Sequence, residues 1–166
     1  MFKEISPREL KVNPCRAIGE QWMLITAGDS TKANTMTASW GGLGVLWNKD
    51  VATCYIRPQR YTREFLDAQS CFSLSFLPPH LRDKLSYCGI VSGRKEDKIA
   101  KSGLTLVHQW ESPCFEEAQI VLICKKLYVG EIDPDRIIAP DIDKTFYADR
   151  DYHLIYIGEI VHALIK

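Results

Sequence analysis

The chain contains a basic turn with the residue types that bind phosphate. It reads Arg57-Pro58-Gln59-Arg60-Tyr61-Thr62 and follows an apolar run that ends at Ile56. Proline stops the preceding strand, and threonine is typical of the residue that caps a helix. The first amides of a helix are unpaired and favour an anion, which arginines can bind through two hydrogen bonds. The turn therefore predicts a phosphate site. The alternative is a solvated turn whose arginines pair with nearby acids.

A second segment combines small hydroxyl residues, glycines and a tryptophan. It reads Asn34-Thr35-Met36-Thr37-Ala38-Ser39-Trp40-Gly41-Gly42-Leu43-Gly44. Glycine lets a backbone approach a flat ligand closely, and the amides and hydroxyls of residues 37–39 can bond the polar edge of a heterocycle. Trp40 or Trp47 can cover an apolar face. The segment therefore predicts contact with a flat ring. The alternative is an ordinary strand followed by a glycine-rich turn.

Six runs rich in β-branched, aromatic and aliphatic residues predict the strands that position these segments. Their predicted bounds are 22–27, 36–40, 51–56, 71–77, 118–130 and 152–165. Short helical patterns occupy 6–10, 62–68, 79–87 and 96–101, and 133–151 is predicted to be a long connection. Alternation of Phe72, Leu74 and Phe76 with small polar residues predicts one buried face.

These elements predict a single, mostly β domain over residues 1–166 with small helices between the strands. The two longest strands favour a closed or strongly curved sheet, since closure removes exposed edges. Gly130 and Gly158 are the predicted sites of bends or bulges in those two strands.

Composition argues against several classes of protein. Hydrophobic residues make up 46% of the chain, which argues against disorder, and Lys plus Arg equals Asp plus Glu at 21 each, which argues against non-specific nucleic-acid binding. No apolar run is long enough to cross a membrane, and the N-terminus lacks a signal-peptide pattern, so a cytoplasmic location is predicted. The six cysteines form no Cys-x-x-Cys pair, which predicts buried, reduced thiols and no metal site.

Several segments together match one family. They are Asn34-x-Met36-Thr37-Ala38-Ser39-Trp40-Gly41, Trp47-Asn48-Lys49, Arg57-Pro58-Gln59-Arg60-Tyr61-Thr62, Cys88-Gly89-x-x-Ser92-Gly93 with Asp97-Lys98, and His153 before Tyr156-Ile157-Gly158-Glu159-Ile160. In these segments the chain resembles the flavin reductase-like, split-barrel family of FMN-binding proteins. The first and third segments are closest to its flavoredoxin-like branch.

The resemblance implies an FMN-binding split β-barrel of Greek-key topology with short peripheral helices, working as a homodimer with one FMN per protomer. It implies that the ring system lies along Thr37, Ala38, Ser39 and Trp40, with Asn34 and Met36 as further cofactor contacts. The implied phosphate contacts are Arg57, Gln59, Arg60, Tyr61 and Thr62.

Three further residues are site candidates through the resemblance. Ser92 and Lys98 lie in a segment that implies proximity to the flavin or its reductant; the alternative is a capped surface helix. His153 is the candidate catalytic residue, because the resemblance places it where a nicotinamide would stack on the flavin. Its alternative is a structural histidine in a strand.

The implied activity is that of a flavin reductase, which transfers hydride from NADH or NADPH to FMN. The main alternative is a flavoredoxin-like electron carrier that holds FMN tightly and exchanges electrons with a partner protein. A third is a barrel-shaped module that binds haem or another flat anionic ligand. The chain has no Gly-x-Gly-x-x-Gly fingerprint, so any nicotinamide site would be open and weakly specified.

Overall fold

The computed structural model describes all residues from Met1 to Lys166. Ten β-strands form the framework, and the fold is mostly β, as the sequence predicts. In chain order, β1 to β10 are Lys3–Ile5, Met23–Gly28, Ala33–Ala38, Gly41–Leu46, Lys49–Ile56, Cys71–Phe76, Leu106–Val107, Cys114–Phe115, Ile120–Glu131 and Leu154–Ile165.

Short helices lie between the strands. In chain order, α1 to α5 are Pro14–Arg16, Thr62–Ala68, Arg82–Ile90, Lys98–Ser102 and Pro140–Phe146. Single turns of 3₁₀ or π helix occur at Pro7–Glu9, Ala17–Gln21, Pro79–Leu81 and Pro134–Arg136. None of these helices has the length and hydropathy that a membrane span requires.

Eight strands form one antiparallel sheet around β10. The order is β3-β2-β6-β9-β10-β5-β4, and β1 pairs with the end of β10. One edge of β10 pairs with β9 along most of its length, and the other is shared between β5 at residues 154–159 and β1 at residues 163–165. β7 and β8 form a separate ribbon.

The connection between β3 and β4 forces the sheet to curl. These strands occupy opposite ends of the strand order, yet only Ser39 and Trp40 separate them in the chain. A connection of this length spans at most about 11 Å, so the two edges of the sheet must approach each other at this corner. The sheet remains open between them, which gives the predicted split barrel.

The bend of β10 requires a glycine. Its register with β9 shifts beside Gly158, where a Cβ atom would lie 2.8 Å from the Phe72 ring and 2.9 Å from Cβ of Cys124. The prediction of a bend at Gly158 is confirmed. Gly130 was the other predicted bend, and the strands pair there in regular register.

Hydrophobic clusters lie on both faces of the sheet. Along β2, Met23 and Ile25 belong to the cluster inside the barrel, whereas Leu24 packs in a second cluster with residues of α3 and α4. Alternate residues of a strand point to opposite faces, so β2 is buried on both.

The prediction of a single buried face for β6 is wrong, since all six of its residues are buried. Ser73 Oγ donates a hydrogen bond of 2.5 Å to the carbonyl of Pro113, and Ser75 Oγ accepts one of 3.4 Å from the amide of Phe115. The covering segment therefore satisfies the polar side chains, which removes the cost of burying them.

Two other regions differ from their sequence interpretation. Residues 41–46 form an edge strand instead of a glycine-rich turn, and the chain reverses at Trp47 and Asn48, which have φ values of 51° and 58°. Positive φ at both positions is what a type I′ hairpin turn requires. The 133–151 connection contains a helix that begins at Pro140, a residue preset for the first helical turn.

The prediction of buried thiols is confirmed for five of the six cysteines and is wrong for Cys15. Those five are Cys54, Cys71, Cys88, Cys114 and Cys124, and Cys15 is exposed; all six are free. Burial raises the pKa of the Cys54 and Cys88 thiols, which disfavours the reactive thiolate.

Candidate functional site

The strand pairing gathers predicted site residues at the corner where the sheet is split. The first pair between β4 and β5 is Gly41 with Cys54, and Trp40 and Tyr55, the residues next to these in the chain, line the same cavity. β10 begins opposite the end of β5 so that His153 lies beside Arg57. The end of β3 approaches from the other side of the split, because the chain runs directly from β3 into this corner.

A cavity of about 250 Å³ opens at this corner, which we call the split cavity. Eight of its nine lining residues are sequence candidates, and Tyr55 is the ninth. The lining residues are Met36, Thr37, Ala38, Ser39, Trp40, Tyr55, Arg57, Arg60 and His153. Residues from both edges of the split therefore surround one space, although they lie far apart in the strand order.

The β3 wall of the split cavity is held in place by hydrogen bonds. Thr37 Oγ1 donates a bond of 2.5 Å to the carbonyl of Leu85 in α3. Asn34 is buried, and its Nδ2 donates a bond of 2.8 Å to Thr62 Oγ1 at the start of α2. These bonds tie β3 to two helices and fix the orientation of the segment that faces the cavity.

An aromatic group forms the opposite wall. The ring centroid of Trp40 lies 5.1 Å from that of His153 and 5.4 Å from that of Phe146. His153 Nδ1 is 2.8 Å from the hydroxyl of Tyr147. Burial, with help from the charges of Arg57 and Arg60, lowers the pKa of His153 to about 4. The imidazole is therefore neutral near neutral pH and presents a flat, uncharged ring.

Arg57 is partnered within the chain. Its Nη1 lies 2.5 Å from Asp151 Oδ1, and its Nη2 donates a bond of 2.9 Å to the carbonyl of Phe146. Gln59 Nε2 donates a 2.7 Å bond to the other oxygen of Asp151, which together with Arg57 lowers the pKa of that carboxyl. At these two positions the structure matches the alternative reading, in which the basic turn pairs with an acid.

Arg60 and Lys98 form a second, different cationic group. Arg60 Nη1 donates a bond of 2.8 Å to the carbonyl of Gly89. Lys98 is buried, and its Nζ donates bonds of 2.8 and 3.0 Å to the carbonyls of Cys88 and Val91. Both cations thus hold the end of α3 through backbone carbonyls, and neither is paired with a carboxylate.

The pKa values of these two cations reflect their surroundings. Burial, with a contribution from the nearby Arg60, lowers the pKa of Lys98 to about 8. Burial, with a contribution from Arg57, also lowers the pKa of Arg60. Two partly desolvated cations repel each other, and an anion bound between them would reduce this repulsion, although Glu96 and Asp97 line the same cavity as Lys98.

Two amides of the expected cradle at the start of α2 are already bonded within the chain. The amides of Arg63 and Glu64 donate to the carbonyls of Arg60 and Tyr61, at 3.0 and 3.1 Å. Thr62 was predicted as the helix cap, but it is the first helical residue, and its buried hydroxyl accepts from Asn34. The amides of Tyr61 and Thr62 have no acceptor within the chain, so these amides and the side chains of the turn are the groups left to bind an anion.

The remaining candidates lie beyond the split cavity. Tyr61 lies against Phe65 and under the guanidinium of Arg94. It lines a separate cavity of about 430 Å³ with Asn34 and Lys98. Ser92 Oγ accepts a bond of 3.3 Å from the amide of Arg94. Gln59 and Thr62 line neither of these cavities.

The sequence interpretation missed Tyr55, Phe146, Tyr147 and Asp151. Tyr55 and Arg57 are two residues apart at the end of one strand, so strand alternation places both on the same face and provides a usable signal. The other three lie in or after α5, within the segment predicted to be a plain connection. Only the folding of that segment over the split brings them to the site.

Comparison with known proteins identifies one family. The model of the flavin reductase like domain matches residues 15–166. No curated protein sequence matches the chain.

Solved structures resemble this fold over most of its length. Flavoredoxin from Methanosarcina acetivorans gives a TM-score of 0.69 at 24% identity, covering 95% of this chain and 75% of its own. An FMN-binding domain of a flavin reductases-like enzyme from Shewanella baltica gives 0.71 at 16% identity, covering 99% and 77%. An NADH:FAD oxidoreductase from Streptomyces globisporus, in complex with NAD and FAD fragments, gives 0.66 at 18% identity, covering 88% and 74%.

Proposed function

The chain belongs to the flavin reductase-like domain family, and we propose that it binds FMN at the split of its sheet and transfers hydride from NADH or NADPH to it. The split cavity is the observation that carries this proposal. It joins hydroxyl and backbone groups of residues 37–39 to the aromatic rings of Trp40 and Tyr55. This combination suits a flat heterocycle with a polar edge.

Arg60 and Lys98 are the residues that we propose to bind the phosphate. Arg60 lines the split cavity, and Lys98, which is close enough to Arg60 for that charge to lower its pKa, lines a separate cavity with Asn34. A ligand with its ring beside Trp40 and its tail toward Lys98 would place a dianionic phosphate against two cations that have no acidic partner. We therefore assign the phosphate to Arg60 and Lys98 rather than to Arg57, whose charge Asp151 already balances.

Bound FMN would carry out the hydride and electron transfer. The chain's own residues would therefore need only to bind FMN, orient it and exclude water. Neutral His153 and Trp40 would form the wall against which a nicotinamide ring could lie. His153 donates to or accepts from the hydroxyl of Tyr147, which fixes the orientation of the imidazole. With its pKa lowered to about 4, His153 would act as a positioning group and not as an acid near neutral pH.

The test begins with the purified protein. FMN titration followed by flavin fluorescence should saturate at one FMN per chain, and the loaded protein should oxidise NADH or NADPH in the presence of free FMN. Failure to bind FMN, or a Soret band from bound haem, would refute the proposal.

An electron-carrier function is the second candidate. Trp40, which lines the split cavity, packs against Phe146, and the two side chains are 42% and 43% exposed. An exposed aromatic pair beside a cofactor site favours contact with an electron-acceptor protein. Tight FMN binding without NADH or NADPH oxidation would favour this carrier over the reductase.

We also propose that the protein forms a homodimer. β4 is an edge strand, and Val45 and Trp47 at its end are 64% and 60% exposed. Unpaired edges and exposed apolar side chains are commonly covered by a second copy. Light scattering of the FMN-loaded protein should give twice the chain mass, and a stable monomer would contradict this proposal.

A further inference from the structure

A second cavity of about 720 Å³ adjoins the split cavity. The two share the side chains of Ser39, Trp40 and Tyr55. We call it the aromatic cavity, because Tyr147 adds a third aromatic ring to its wall. A molecule in the aromatic cavity would therefore lie next to the site proposed for FMN.

The lining of the aromatic cavity contains no charged side chain. Leu43 and Ile132 are apolar residues of the lining, and Ser39 and Tyr55 are the lining residues that carry hydroxyl groups. A nicotinamide dinucleotide carries a charged pyrophosphate, which proteins bind with cations or helix amides. The cavity instead suits a flat, uncharged molecule with oxygen acceptors at its edge.

We propose that the aromatic cavity binds an uncharged aromatic carbonyl compound of the quinone class, as the electron acceptor of the reaction. This inference rests on the proposed function, since it takes FMN to occupy the split cavity. The overall reaction balances: NADH or NADPH supplies hydride, which carries two electrons and one proton, and solvent supplies the second proton. The products are the oxidised nicotinamide and the hydroquinone.

Two glycines of β4 offer a matched test. Gly42 lines the aromatic cavity but not the split cavity, and a Cβ atom there would meet no other atom within 4 Å. Gly44 is equally open but lines neither cavity. The two residues are two apart in one strand, so their side chains would point to the same face. Gly42→Leu would place a side chain against the aromatic cavity and narrow it, and Gly44→Leu is the control.

The experiment measures binding of duroquinone to the FMN-loaded protein by tryptophan fluorescence, without NADH or NADPH. Duroquinone is an uncharged, fully substituted quinone, so it is a poor target for addition of Cys15, which also lines the cavity. We expect saturable binding to wild type and to Gly44→Leu, and binding at least about tenfold weaker to Gly42→Leu, because the added side chain occupies the same space. FMN affinity should be equal in all three proteins.

Two results would overturn the inference: no saturable duroquinone binding to wild type, or a Gly42→Leu variant that binds duroquinone as tightly as wild type. If the wild-type protein does not bind FMN, that result would instead contradict the proposed function. The FMN and duroquinone titrations therefore separate the two failures.

Discussion

Lys98 provides the sharpest test of where the phosphate binds. Its ammonium group is buried, bonded only to carbonyls, and has a pKa lowered to about 8 by burial and by Arg60. Lys98→Met removes the charge but keeps an unbranched side chain. A hydrogen bond to a charged group contributes about 1.5–3 kcal/mol, so FMN affinity should fall about 10- to 100-fold. Riboflavin lacks the phosphate, so its affinity should change much less.

The lowered pKa also predicts the pH dependence. A bound phosphate dianion stabilises the protonated lysine and raises its pKa, so FMN affinity is full below about pH 8 and declines as pH rises above it. The phosphate remains a dianion over this range, because its second pKa is about 6. If Lys98 stays protonated in the complex, affinity should fall about tenfold between about pH 7 and about pH 9.

The assay is a fluorescence titration of wild type and Lys98→Met with FMN and with riboflavin at each pH. The ratio of the two dissociation constants cancels any general loosening of the protein that the substitution causes. In wild type the preference for FMN should shrink as pH rises, and in Lys98→Met it should be small and constant. An unchanged FMN-to-riboflavin ratio in Lys98→Met would refute the assignment of the phosphate to this lysine.

Three further predictions follow from the same geometry. Removing the balanced pair together, in Arg57→Ala with Asp151→Asn, should weaken FMN binding by less than about tenfold in the same titration; a larger loss would place the phosphate at Arg57. His153 should titrate with a pKa near 4 by NMR, and a pKa near the ordinary 6.5 would contradict this. Because the unfolded histidine binds its proton more readily than the folded one, the free energy of unfolding measured in urea should decrease as pH falls from about 6.5 through 4. Gly158→Val should cost about 1–3 kcal/mol in chemical denaturation, because its Cβ would lie 2.8 Å from the Phe72 ring; an unchanged midpoint would show that the bend tolerates a side chain.

Local sequence patterns predicted most of the sheet because they depend on short-range chemistry. All six predicted strands exist, with bounds displaced by at most three residues. The misses have physical causes. The glycines of β4 give no apolar alternation, so an edge strand resembles a loop. The serines of β6 look solvent-facing, and only the segment at 112–115 that covers them makes both faces buried.

The sequence alone supplied the residue types at the candidate site: a hydroxyl-rich strand, a tryptophan corner, a basic turn and a histidine before the last strand. The tertiary structure decided which of these face one another and which cations are already balanced. Asp151 lies far from Arg57 in the chain but forms an ion pair with it. Arg60 and Lys98 instead donate to backbone carbonyls at the end of α3 and form no ion pair with a carboxylate. The sequence shows which side chains carry charge. Whether an opposite charge balances each of them depends on distance and solvent exposure, which only the fold determines.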